Sequence, residues 1–179
     1  HFNMKKIVIA FVLGCLFGNF QSVNGQQEKV RPANLIGVNL LGNATLVSIN
    51  YERLLINRPS FFLSNNIGVG INKEFVLFND FAHMYGSLSN SITAAIGKDY
   101  VYLELGAGMT VLANDRDFFG FAYPTVGVRF HPVSRKKVYF KVYNQFPIKL
   151  PFEISRQLGS YFLNRVFFLP IGFHVGIAF

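Results

Sequence analysis

The chain has 179 residues and is poor in charge, in cysteine and in tryptophan. Charged residues make up only 15% of it, whereas a soluble domain carries about a quarter. There are 21 phenylalanines and no tryptophan, so its aromatic content favours contact with acyl chains. The single cysteine, Cys15, excludes an internal disulfide. A soluble exterior is therefore difficult to build from this composition.

The formal net charge is +8, from 17 basic and 9 acidic residues. The basic residues are scattered, and Arg135, Lys136 and Lys137 form the one run of them. A nucleic-acid partner is therefore not expected. The excess of basic over acidic residues favours solubility and attraction to anionic lipid headgroups.

No zinc-ligand pattern, phosphate loop or dinucleotide fingerprint occurs in the sequence. His83, with Asp80, Ser87 and Ser89 nearby, resembles a surface hydrolase site, but chance placement of polar loop residues explains it better. We therefore expect no catalytic residues, no cofactor and no metal, and a protein that is not an enzyme.

The N-terminal residues resemble an export signal. After Met4 come Lys5 and Lys6, an apolar run over 7–13 and a polar stretch over 21–27, which is typical of a secretory signal peptide. We expect cleavage after Gly25. Residues 1–25 are then upstream residues and signal peptide, 26–33 a polar lead-in and 34–179 the folded domain. Residues 12–15 also resemble a lipobox, which leaves lipidation of Cys15 open, although the apolar run continues beyond that cysteine.

The last eleven residues alternate between an apolar row and a small or polar row, as in a β-strand with one apolar face. The apolar row is Leu169, Ile171, Phe173, Val175, Ile177 and Phe179. Similar alternation recurs from residue 36 onward, giving eight strands. Asn90 breaks the apolar row of the fourth strand, and Pro124 is expected near a rim or at a bulge of the sixth.

Short and long connections alternate along the chain, the longest being 147–168. Outer-membrane barrels have short periplasmic turns and longer external loops. The pattern therefore predicts an all-β protein, a closed antiparallel eight-stranded transmembrane β-barrel of the outer-membrane type.

The opposite, inward row is rich in Ser and Gly and includes ionisable and aromatic residues: Asn50, Glu52, Tyr102, Glu104, Arg129, Tyr139, Lys141 and His174. An eight-stranded barrel is just wide enough for its own side chains, and buried charges must be paired. We therefore predict a lumenal charge cluster of Glu104, Arg129 and Lys141, with Glu52 as a further member. Stiffening of the barrel is the expected role, and an ion or proton relay is the alternative.

Four short motifs resemble the small outer-membrane β-barrel proteins of the Bacteroidetes, most of which have no assigned activity. They are Ser-Ile-Asn-Tyr-Glu-Arg at 48–53, Leu-Glu-Leu-Gly-Ala-Gly at 103–108, Val-Gly-Val-Arg-Phe at 126–130 and Gly-Ile-Ala-Phe at 176–179. The resemblance implies residence in the outer membrane of a Gram-negative bacterium. It also implies insertion by the barrel-assembly machinery, with Phe173, Val175, Ile177 and Phe179 as the C-terminal assembly signal.

These features predict an outer-membrane barrel with a plugged polar lumen, in contact with outer-membrane lipid. Its role would be structural, or the binding of an envelope protein partner through the loop 147–168. One alternative is a narrow, porin-like channel or transporter component for small solutes. The other is a soluble lipocalin-like carrier, which would need apolar residues inside and charged ones outside.

Overall fold

A computed structural model of the chain describes residues 31–43, 45–73, 84–115, 117–132, 137–155 and 169–179. Within these ranges no helix is long and apolar enough to cross a membrane. The described residues form nine strand segments: β1 Asn34–Leu40, β2 Val47–Asn57, β3 Phe61–Lys73, β4 Met84–Lys98, β5 Val101–Ala113, β6 Asp117–Phe130, β7 Val138–Gln145, β8 Ile148–Ser155 and β9 Ile171–Ala178.

The strands close into an antiparallel barrel with eight positions in its wall. Each strand from β1 to β6 pairs with the next, β7 pairs with β9, and β9 pairs with β1. The short β8 continues β7, because both pair with β6 in the same register: Thr125 opposes Gln145, and Ala122 opposes Ile148. The predicted eight-stranded barrel is therefore confirmed.

Two prolines mark the break between β7 and β8. Pro124 lies in the middle of β6 rather than near a rim, and its carbonyl accepts a hydrogen bond from the Phe146 N–H at 3.2 Å. Because proline has no N–H, it donates nothing in return. Pro147 follows Phe146 directly, so the regular pairing is interrupted there and resumes at Ile148.

This continuation corrects the prediction for the last connection. Residues 147–168 were expected to form one long loop, but 148–155 form the strand β8. Residues 148–155 do alternate, with Ile148, Leu150, Phe152 and Ile154 in the apolar row. The strand was missed because Pro147 and Pro151 are residues that normally interrupt a strand. Residues 156–168 lie outside the described part of the chain.

The strands are strongly staggered around the barrel. From Asn39, the paired partners on β2 to β5 lead to Phe119 on β6. In the other direction, the partners on β9 and β7 lead to Arg129 on the same strand, ten residues away. A stagger of ten residues over eight strands corresponds to a strand tilt of about 40°, which is the tilt of transmembrane barrels.

Side chains alternate between the two faces of the wall with a period of two. In β9 every second residue is buried and the others are exposed. The exposed set is mainly apolar and includes Ile49, Val69, Ile96, Leu105, Val138 and Val175. The buried set is mainly polar, charged or aromatic. All the inward residues predicted from the alternation are buried, from Asn50 to His174.

The two ends of the barrel differ. At the lower end, where β1 begins and β9 ends, the turn between β2 and β3 is residues 58–60, and that between β4 and β5 is residues 99–100. Exposed or half-exposed aromatic side chains lie close to this end: Phe61, Tyr100, Phe130, Phe140 and Phe179. Phe130 and Phe140 stack with ring centroids 4.4 Å apart. The upper end carries the turn between β1 and β2 and the connections after β3, β5 and β8.

Candidate functional site: the charged lumen

The four residues predicted to form the lumenal charge cluster meet inside the barrel. One guanidinium nitrogen of Arg129, Nη2, lies 2.6 Å from Glu52 Oε1 and 2.6 Å from Glu104 Oε1. Lys141 Nζ is more distant, 4.0 Å from Glu52 Oε2 and 3.8 Å from Glu104 Oε2. All four residues are buried. Arg129 is therefore the central cation, and Lys141 completes the charge balance of the four.

The register of the strands explains this convergence. Arg129 directly opposes Lys141 on one side and Tyr102 on the other, so Glu104 is its diagonal neighbour two residues along β5. Glu52 comes from β2, on the opposite wall of the barrel. The sequence indicated the pairing across neighbouring strands, and the closure of the barrel brings Glu52 across the lumen.

Aromatic rings enclose the Arg129 guanidinium. Its central carbon lies 5.0 Å from the ring centroid of Phe62 and 5.2 Å from that of Tyr139. Such cation–π contacts contribute about 0.5–2 kcal/mol each. The ion pairs and the rings together hold the side chain in one position across the lumen.

A second arginine, Arg31, closes the lower end of the barrel. It precedes β1, yet it is almost completely buried. Its guanidinium donates to the backbone carbonyls of Arg58 at 2.9 Å and Pro59 at 2.7 Å, and it also contacts the Tyr102 hydroxyl. Burial, and to a smaller extent the charge of Arg129, lowers the pKa of Arg31 to about 10. Sequence analysis missed this residue because it lies in the polar lead-in, before the alternation begins.

His131 lies just beyond the end of β6 in the same lower layer. Its ring is tilted against Tyr139 at 5.3 Å and meets Phe62 edge-on at 6.2 Å. Neither ring nitrogen has a hydrogen-bond partner among the residues that the structure describes. Burial, with added repulsion from Arg129 and Arg31, lowers the pKa of His131 to about 3. The imidazole is therefore neutral at physiological pH.

The upper end is closed by the turn between β1 and β2. Asn43 and Thr45 of this turn are buried. The Asn43 N–H donates to Gln145 Oε1 at 2.7 Å, and the Tyr143 hydroxyl donates to Asn43 Oδ1 at 3.1 Å. Thr110 on β5 donates to the Asn43 carbonyl. The turn is therefore anchored to both sides of the wall.

Gly42 makes this inward fold possible. A Cβ atom at this position would lie 1.9 Å from the Tyr143 hydroxyl oxygen and 2.7 Å from Cζ of the same ring. Real Cβ contacts are never this short, so a larger residue would displace the ring or the turn. The turn, the charge cluster and Arg31 thus form three successive layers across the lumen, called here the upper plug, the charge cluster and the lower plug.

The chemistry of these layers is mainly electrostatic. Both carboxylates of the charge cluster are held by Arg129. Within the described residues, no group of three or more His, Cys, Asp or Glu side chains is arranged to hold a metal ion. His83 lies outside the described residues.

The proposed C-terminal assembly signal occupies the outward face of β9. Phe173, Val175, Ile177 and Phe179 are all exposed, and the Phe179 N–H donates to the Asn34 carbonyl at 2.8 Å. The last residue is thereby tied to the first strand.

Comparison with protein-family models gives no match, and comparisons with curated proteins and with solved structures give none either.

Proposed function

We propose that this chain is an outer-membrane β-barrel protein with a plugged lumen, and that it acts through its exterior and its upper loops. The observation that carries the proposal is the distribution of polarity. The wall exposes a mainly apolar surface, while the lumen buries the two acidic and two basic residues of the charge cluster. This is the arrangement of a barrel surrounded by lipid.

The soluble carrier fits this distribution poorly. A lipocalin-like barrel holds its greasy ligand against apolar inward residues, whereas this lumen contains ion pairs and buried amides. Its exterior would expose Ile, Leu, Val and Phe to water on nearly every strand. An apolar surface of that extent marks contact with a membrane or another protein.

The channel alternative is also less well supported. A conducting pore needs a continuous aqueous path, but the upper plug, the charge cluster and the lower plug each cross the lumen. The charges are mutually paired, and Arg31 binds backbone carbonyls. A structural or partner-binding role therefore agrees best with the interior.

The proposal includes export by the N-terminal signal and insertion by the barrel-assembly machinery, as the resemblance to the small Bacteroidetes barrels implies. The lower end, with its short turns and aromatic residues, then faces the periplasm. An envelope protein partner would be contacted from the upper end, by the connection that follows β8.

Heat-modifiable gel mobility, combined with single-channel recording, tests the proposal. We expect the protein in outer-membrane fractions, a mobility difference between unboiled and boiled samples, and no steady conductance from the folded form. Steady conductance would favour the channel. Recovery in the soluble fraction without a mobility shift would favour the carrier.

A further inference from the structure

The outward face of β1 to β4 is mainly apolar, but besides Lys73 and Lys98 at strand ends it carries a group of four neighbouring polar residues. Asn34, Arg53 and Asn65 are register neighbours on β1, β2 and β3. Asn90 on β4 joins them, because its Nδ2 donates to Asn65 Oδ1 at 3.2 Å. We call these four residues the polar strip. The sequence pattern pointed to it only through Asn90, which breaks the apolar row of its strand.

The strip rises from the lower end into the apolar zone. Asn65 is the fifth residue of β3, so it lies about 10 Å above the start of that strand at a tilt of about 40°. The interfacial region of a bilayer is about 5–7 Å thick on each side. In the membrane orientation proposed above, Asn65 and Asn90 therefore lie just inside the hydrocarbon boundary, while Arg53 reaches back to the headgroups.

The strip presents hydrogen-bond donors to lipid at two depths. Arg53 is an exposed cation on the outward face, and its guanidinium has the planar geometry that binds phosphate. Deeper in the wall, the Asn65 amide nitrogen carries two N–H donors that its hydrogen bond with Asn90 does not use. An unsatisfied amide in hydrocarbon is costly. Directly opposite Asn65 lies Ile92, whose apolar side chain is exposed.

We infer that the polar strip binds one anionic glycerophospholipid of the periplasmic leaflet. The phosphate pairs with Arg53, an ester carbonyl accepts from the Asn65 amide, and the acyl chains cover the neighbouring apolar residues. The positive charge of Arg53, with the Asn65 amide deeper in the membrane, matches the phosphate and ester carbonyl of such a lipid. A second copy of the chain fits less well, because a two-fold axis at Asn65 would bring two Arg53 cations close together. The inference rests on the proposed membrane location.

Native mass spectrometry of the detergent-folded chain tests this inference, with dioleoylphosphatidylglycerol and dioleoylphosphatidylcholine as probes. We expect wild-type protein to retain one phosphatidylglycerol in preference to phosphatidylcholine. The substitution Arg53→Gln should weaken this retention about tenfold or more, since it removes a charge-assisted hydrogen bond. The double substitution Asn65→Leu and Asn90→Leu should weaken it as well, without unfolding a lipid-facing surface.

Two control variants match these changes. Lys98→Gln removes a charge near the same end of the barrel, and Asn144→Leu removes an outward amide from β7. Both should retain the lipid as the wild type does. Equal loss in Arg53→Gln and Lys98→Gln would mean adventitious lipid only and overturn the inference. A wild-type dimer that the Asn65/Asn90 variant dissociates would assign the strip to a second copy instead.

Failure of the proposed function has a separate readout. Each variant is checked for heat-modifiable mobility, and the wild type for its cell fraction. A wild type found only in the soluble fraction contradicts the membrane location whatever it binds in detergent. A folded, membrane-located barrel without preference for phosphatidylglycerol contradicts the lipid site alone.

Discussion

Removal of the Arg129 side chain should be among the most damaging single changes in this barrel. The substitution Arg129→Met keeps an unbranched side chain about as long as the aliphatic stem of arginine and removes the guanidinium. It leaves the buried carboxylates of Glu52 and Glu104 without the cation that lies 2.6 Å from each, and Lys141 is no closer than 3.8 Å. Breaking a buried ion pair by removing one partner costs about 3–5 kcal/mol. The lost cation–π contacts with the surrounding rings add to this cost.

The measurement is urea unfolding of the barrel refolded in detergent or lipid, followed by the unboiled gel mobility. We expect the free energy of unfolding to fall by about 3–5 kcal/mol in Arg129→Met. A matched variant that also carries Glu52→Gln, Glu104→Gln and Lys141→Met should recover most of the loss, because no unpaired charge remains. An Arg129→Met barrel as stable as the wild type, or a fourfold variant worse than the single one, would refute this account of the cluster.

Three further predictions concern the plugs and the chain end. Gly42→Ala should destabilise the barrel by about 1–3 kcal/mol and expose the upper turn to protease, because its Cβ would collide with Tyr143; Gly86→Ala, whose Cβ would come no closer than 3.8 Å to another residue, should be neutral. Equal effects would contradict the inward turn. Below pH 6.5 the unfolded chain binds a proton at His131 that the folded chain, with a pKa of about 3, does not. The stability that the neutral His131 contributes should therefore be complete above pH 6.5 and fall on acidification, by about 2 kcal/mol at pH 5; His131→Phe should remove this part of the pH dependence of unfolding, and an unchanged profile would exclude this group. Phe179→Ala should lower the membrane-inserted fraction in cells severalfold while Phe179→Tyr preserves it, and equal fractions would argue against an assembly signal.

Most of the barrel wall can be predicted from the sequence, because the alternation of apolar and polar residues along a strand is a local pattern. Alternation with a period of two assigns each residue to a face, and the order of short and long connections fixes an even strand count. Residues such as Val175 and His174 could therefore be placed outside and inside from the sequence alone. The wall was misjudged where proline interrupts the pattern: Pro124 lies in the middle of β6 rather than near a rim, and a strand resumes after Pro147.

The charge cluster could also be predicted from the sequence. Inward charges are few, and a narrow lumen brings them together whatever the exact register. The diagonal relation of Glu104 to Arg129 follows from folding two neighbouring strands, but the reach of Glu52 across the barrel depends on closure and stagger, which no local pattern encodes. The sequence could therefore suggest that Glu52 joins the cluster, but it could not identify the cation that Glu52 contacts.

The upper plug and the lower plug could not be predicted from the sequence. Arg31 and the turn around Asn43 belong to no alternating row, and their partners are mostly backbone carbonyls and side chains distant in sequence. A sequence pattern cannot show that a polar segment fits inside rather than extends into water. The lower plug nevertheless changes the charge of the interior. Arg31 adds a third cation to the two carboxylates and two cations of the charge cluster. Backbone carbonyls, rather than another acidic side chain, stabilise Arg31. The lumen is therefore closed below by a contact independent of the cluster, so neutralising the cluster alone should not open a pore.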